Sequence, residues 1–178
     1  MSHPLLFTEV LGATLKALFA AAFLLHAISA QALDSVSVET GKGDHDVHMW
    51  GIGLQWVPHP GWLAERHWDY YWELSLANWH GDTGTVHDFG VTPVFRYARH
   101  ARGWYFEGGI GAHVFSDSHV SSDLGFSTRF QFGDHLGVGY RFHTYDLALR
   151  LQHLSNGGMR NPNPGINSLQ LRLLYHLD

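Results

Sequence analysis

The chain has 178 residues, 45% of them hydrophobic and 15% charged, with a formal net charge of -5. That composition supplies a core for one domain and excludes a disordered chain. Its scattered 11 Lys and Arg exclude the basic footprint that nucleic acid requires, and 0 Cys excludes disulfides, thiol nucleophiles and thiolate metal sites.

In chain order, the first feature is the apolar run over residues 17–25, preceded by Lys16 and followed by Ala30-Gln31-Ala32. The run is shorter than the roughly 20 residues a helix needs to span a bilayer. Its charged start and small-residue end predict a signal peptide over 1–32, cut after Ala32, with a buried helix as the competing reading.

From Leu33 onward the residue types alternate with a period of two, and eight strands are predicted: 34–42, 45–57, 67–80, 86–98, 103–116, 126–142, 145–155 and 166–177. Side chains of a strand point alternately to its two faces. One face of the third strand collects Trp68, Tyr70, Trp72, Leu74 and Leu76, and the other Asp69, Tyr71, Glu73 and Ser75. The fourth strand sets Phe89, Val91, Pro93, Phe95 and Tyr97 against Asp88, Gly90, Thr92 and Arg96. The sixth strand is read with Phe126, Thr128, Phe130 and Phe132 on its apolar face. A soluble sandwich would also alternate, but soluble strands average about 5 or 6 residues, whereas membrane-spanning strands need about 9 to 11. The expected fold is therefore an all-β, eight-stranded antiparallel outer-membrane barrel over 33–178, apolar outside and polar within. Trp50, Trp56, Trp68, Trp79, Trp104 and Tyr175 near strand ends are expected to form interfacial girdles. Gly108-Gly109-Ile110-Gly111 lies within a strand and reads as close packing rather than a dinucleotide loop. The 15 histidines lack metal-ligand spacing, so neither metal nor cofactor is expected.

The seventh strand carries the chemistry. Tyr145, Leu147, Leu149, Leu151, His153 and Ser155 share one face, and Asp146, Ala148, Arg150, Gln152 and Leu154 the other. Unpaired polar groups in hydrocarbon cost several kcal/mol, so His153 and Ser155 on the lipid side ask for a reason. One reason is that the strand has reached the headgroup zone. The other is geometric: positions i and i+2 of a strand are about 6.7 Å apart and project together, so an imidazole can serve a hydroxyl as base. Asn167 has the outward parity in the eighth strand, and pairing it with His153 centres the connecting hairpin near Arg160.

The segment His153-Leu-Ser-Asn-Gly-Gly158, followed by Asn161-Pro-Asn-Pro-Gly-Ile-Asn-Ser168, resembles the terminal hairpin of the lipid A 3-O-deacylase (PagL) family. The segments Val91-Thr-Pro-Val-Phe95 and Phe106-Glu-Gly-Gly-Ile-Gly111 are similar to it in order and spacing. The resemblance implies an outer-membrane esterase that removes the 3-linked acyl chain of lipid A, with Ser155 as nucleophile, His153 as general base, and Asn156 and Gly158 at the oxyanion. It also implies a carboxylate fourteen residues after the His, where this sequence has Asn167. Loss of that charge in a serine protease costs about 10⁴ in rate, although an Asn still accepts a hydrogen bond from the ring. No other acid belongs to the motif: Asp146 is on the opposite face and Asp178 at the far strand end. An Asp or Glu at position 167 is accordingly expected to raise the rate. The implied partners are lipid A within lipopolysaccharide and the outer membrane; oligomeric state is not legible, and a homodimer stays open. The alternative function is a catalytically inactive barrel that binds lipopolysaccharide or serves structure.

Overall fold

The structure, a computed structural model, describes residues 33–58 and 65–177; the signal segment expected over 1–32, and Asp178, lie outside the described residues. Eight strands close into an antiparallel barrel: β1 (Ser35–Gly43), β2 (His48–Trp56), β3 (Trp68–Gly81), β4 (Gly84–Ala98), β5 (Gly103–Phe115), β8 (Phe130–Arg141), β9 (Tyr145–Ser155) and β10 (Ile166–His176). β6 (His119–Ser121) and β7 (Leu124–Gly125) form a small separate hairpin in the β5–β8 connection. Neighbours in sequence are neighbours in the barrel, and β1 pairs with β10, so Ser35 faces His176 and Gly43 faces Ser168. Closure leaves no strand edge to be solvated, which is what a lipid environment requires.

The face assignment follows the sequence parity. Leu136 is 74% and Leu151 64% exposed, while Glu73, Arg96, Glu107 and Arg150 are each at most 4% exposed. An apolar exterior over strands of 9 to 15 residues is the pattern of a transmembrane barrel. The charges at the centre of the interior are paired. Glu107 accepts from the Tyr71 hydroxyl at 2.9 Å, from Arg96 Nη2 at 3.0 Å and from Arg150 Nε at 2.7 Å. Glu73 accepts from Arg150 Nη1 at 2.8 Å and from Arg172. Buried charge is tolerated only with such partners. The glycines of β5 meet the expectation of close packing: a Cβ on Gly109 would lie 2.6 Å from the Pro93 carbonyl oxygen, and one on Gly111 would collide with Thr92 Oγ1.

Two expectations differ from the structure, both at the same end of the barrel. Trp79 is not in a girdle but points inward, 0% exposed, and Phe126 leaves the sixth-strand face and is 3% exposed. Both belong to an apolar cluster with Val47, Met49, Phe115 and Leu154 that the β6–β7 hairpin covers with Val120 and Leu124. The hairpin is held there by Ser122, whose backbone N–H donates to Asp82 Oδ1 at 2.7 Å and whose hydroxyl donates to Asp82 Oδ2. These donors hold the Asp82 carboxyl below its ordinary range. An inward apolar side chain is unfavourable in a water-filled bore but not under a lid, so Trp79, which keeps the inward parity of Tyr71, Glu73 and Ser75, is apolar inside where the barrel is capped.

Candidate active site

β9 delivers the two central residues. Leu154 turns inward into the apolar cluster, which forces its neighbours His153 and Ser155 to the outer face, where both are half-buried. The β9–β10 ladder sets Asn167 opposite His153, the register expected from the sequence, and the β8–β9 ladder sets Asp134 opposite His153 on the other side. An open groove of 470 Å³ runs past Asp134, Leu136, Leu151, His153, Asn167 and Leu169. Polar groups occupy its rim and leucines the wall below.

His153 Nδ1 lies 2.8 Å from Asn167 Oδ1. An amide oxygen only accepts, so this contact assigns the proton to Nδ1 and leaves Nε2 with a basic lone pair. The ring rests on Gly165: a Cβ there would stand 2.7 Å from His153 Cε1 and 3.4 Å from Nε2, and Gly165 has a φ of +73°. Glycine thus meets a steric and a backbone requirement together.

Among the described residues no hydrogen bond joins His153 to Ser155. The Ser155 hydroxyl oxygen instead faces the Gly157 backbone N–H at 3.5 Å. Catalytic hydrogen bonds are often long or poorly aligned before substrate binds. The turn after Ser155 is braced by Asn156, which is fully buried. Its Nδ2 donates to Ser127 Oγ at 3.0 Å and to the Arg160 carbonyl at 2.7 Å, and its Oδ1 accepts from Gly158 N at 2.9 Å. Its own N–H donates to Asn163 Oδ1 at 2.9 Å. Asn156 and Gly158 therefore follow Ser155 with their donors engaged in shaping the turn, and Gly157 offers its N–H to the Ser155 hydroxyl oxygen.

Three residues of this site were not identified from the sequence alone. Asp134 carried a signal, because its even number gives it the outward parity of Phe132 and Leu136 in the sixth strand. Gly165 could be read only as a turn residue. Asp44 carried no local signal at all: it directly follows β1, 123 positions from Asn167, and only barrel closure unites them. There the Asp44 N–H donates to the Asn167 carbonyl at 2.9 Å, the Asn167 N–H donates to the Asp44 carboxylate at 3.2 Å, and Asn167 Nδ2 donates to Asp44 Oδ2 at 2.9 Å. Among the described residues no cluster of His, Asp or Glu has the form of a metal site.

The family model described as lipid A 3-O-deacylase (PagL) matches residues 49–176. The lipid A deacylase PagL of Pseudomonas aeruginosa is 33% identical over 163 residues, covering 87% of this chain and 92% of that protein. The lipid A deacylase PagL of Bordetella bronchiseptica is 38% identical over 108 residues, 58% of this chain, and the matched part spans only 60% of that relative's length. Among solved structures, the crystal structure of the outer membrane enzyme PagL superimposes with a TM-score of 0.73 at 27% identity, covering 80% of this chain and 99% of the other. A de novo designed transmembrane β-barrel matches with a TM-score of 0.53 at 10% identity, covering 83% of this chain and 97% of the other, a likeness of fold alone.

Proposed function

The chain belongs to the lipid A 3-O-deacylase (PagL) family, and from that premise we propose that it is an outer-membrane esterase that hydrolyses the 3-linked acyl ester of lipid A with Ser155 as nucleophile and His153 as general base. The observation that carries this reading is the outward pair His153 and Ser155 at the end of β9, above a leucine-walled groove. Lipid A arrives by diffusion within the outer leaflet, its acyl chain lying along Leu136, Leu151 and Leu169 and its ester at the polar rim. With the start of β1 and the end of β10 on the periplasmic side, the arrangement usual for eight-stranded outer-membrane barrels, the β9–β10 hairpin faces outward, beside the leaflet that holds lipopolysaccharide.

His153 Nε2 takes the hydroxyl proton as Ser155 Oγ attacks the ester carbonyl. The resulting oxyanion is stabilised by the turn of residues 156–158, which Asn156 and Gly158 hold in shape and from which the Gly157 N–H points to Ser155. The imidazolium returns the proton to the departing 3-hydroxyl of the sugar, leaving an acyl-enzyme. Water, deprotonated by the same imidazole, then releases the fatty acid and regenerates Ser155. Asn167 holds the ring through Nδ1 during both steps.

The test is incubation of the purified barrel with lipid A in detergent, followed by mass spectrometry for loss of the 3-linked hydroxyacyl chain. Absence of release, together with no labelling of Ser155 by a fluorophosphonate, would sink the reading. Asn167 in place of an acid favours a second reading, a catalytically inactive barrel that binds lipopolysaccharide; labelling of Ser155 separates the two, since it requires an activated hydroxyl.

Gly165→Ala tests the seat of the imidazole. The added methyl meets His153 Cε1, and a displacement of about 1 Å at a catalytic group costs on the order of 10²-fold in rate. The expected result is a fall in kcat of about that size in a barrel that still migrates as folded, read by acyl-chain release at saturating lipid. An unchanged kcat would show that the ring does not depend on Gly165.

A further inference from the structure

We propose that Asp44 is the acid of this site, a positioning residue that delivers its negative charge to His153 through the side-chain amide of Asn167; the inference rests on the esterase reading above. The groups form one continuous chain. Asp44 Oδ2 accepts from Asn167 Nδ2 at 2.9 Å, and at the other end of the same amide Oδ1 accepts from His153 Nδ1 at 2.8 Å. An amide is a polarisable bridge: a carboxylate at its N–H end makes its oxygen a stronger acceptor, and that oxygen faces the ring that becomes cationic in both transition states.

The bridge is held at its backbone as well. The Asn167 N–H donates to both Asp44 oxygens at 3.2 Å, and the Asp44 N–H donates to the Asn167 carbonyl at 2.9 Å. Asp44, the first residue of the β1–β2 turn, is thereby tied to β10 one position past the last paired rung, Gly43 with Ser168. The neighbouring surface pair Lys42 with Asp46, at 3.1 Å, engages a different carboxylate and leaves Asp44 to the amide.

Asp134 is the other charged group beside His153, directly opposite it on β8. Among the described residues no hydrogen bond links it to the ring, and it lies on the far side of His153 from Nδ1, which is already bonded to Asn167. Its charge lies beside the imidazole without orienting it.

This arrangement changes what Asn167→Asp should do. Placing a second carboxylate against Asp44 removes the Nδ2 donor and sets two like charges about 3 Å apart, so the single substitution yields no gain in rate. Exchanging the two residues restores the chain in reverse order. In the double variant Asp44→Asn, Asn167→Asp, the new amide donates to the new carboxylate, and the carboxylate accepts directly from His153.

The test is a cycle of four proteins, wild type, Asp44→Asn, Asn167→Asp and the exchange, each verified as a folded barrel by heat-modifiable migration and assayed for release of the 3-linked acyl chain. The expected result is a loss of about 10- to 100-fold in kcat for Asp44→Asn with KM unchanged, a charge effect across one intervening amide. No gain is expected for Asn167→Asp, and the exchange should recover wild-type kcat or more. An Asp44→Asn protein with wild-type kcat overturns the proposal, as does a folded exchange variant no better than Asp44→Asn, which would leave Asp44 a mere brace.

A readout independent of turnover separates this from failure of the esterase reading. In ¹⁵N-labelled Ser155→Ala barrel in detergent micelles, the His153 Nδ1–H proton is expected far downfield and slow to exchange, and to move upfield with Asp44→Asn added. No movement overturns the relay, whereas movement in a protein that never releases an acyl chain leaves the relay standing and removes the esterase.

Discussion

Replacing Ser155 with alanine is expected to abolish acyl-chain release, with kcat lower by about 10⁴-fold or more while lipid A still binds the barrel. The hydroxyl is the atom that becomes covalently acylated in the proposed reaction, and the chain has 0 Cys to replace it. Nothing structural rides on the substitution. Among the described residues Ser155 Oγ has one hydrogen bond, a long one from Gly157 N at 3.5 Å, and the turn behind it is braced by Asn156, Asn163 and Ser127. A loss of activity would therefore report chemistry rather than folding. Mass spectrometry of the lipid gives the rate, and an intact heat-modifiable gel shift gives the control. Substantial residual release would mean that another nucleophile, or water activated directly by His153, carries the reaction.

Glu107→Ala is expected to destabilise the folded barrel by about 3 to 5 kcal/mol, the usual cost of breaking a buried ionic group by removing one partner. Glu107 receives Tyr71, Arg96 and Arg150 at 2.9, 3.0 and 2.7 Å. Its removal leaves two guanidinium groups short of an acceptor in an interior where Arg96 and Arg150 are each 3% exposed. Water cannot replace the carboxylate cheaply there, and alanine adds a void. The midpoint of the unfolding transition in urea, followed by gel shift, measures the effect; a change below about 1 kcal/mol would mean that the network rearranges around the gap. Lys42→Ala offers the contrast, because its pair with Asp46 is solvent-exposed at 62% and 93% and should register almost nothing.

The barrel was legible from the chain because strand parity is a local property. Glu73 and Trp72, or Arg150 and Leu151, declare their opposite faces within two positions. The pairing of His153 with Asn167 was legible too, since a hairpin register depends only on the sum of two indices. Trp79 and Phe126 misled because their surroundings are set by the β6–β7 hairpin, which folds back over the barrel mouth and makes an inward apolar side chain favourable. Asp44 shows the other limit. Its relation to Asn167 exists only once the first strand has met the last, and no local pattern encodes a contact across 123 positions.

The same filled bore has a physiological consequence. An outer membrane lives by what it excludes, and eight strands around an open lumen would be a hole in it. Here ion pairs occupy the middle of the bore and the Trp79 cluster stoppers one mouth, so the vestibule at the other end, 290 Å³ beside Asp69 and His176, leads nowhere. With its groove on the lipid-facing wall and its interior sealed, the protein can be present in many copies, or few, without altering what solutes cross the membrane.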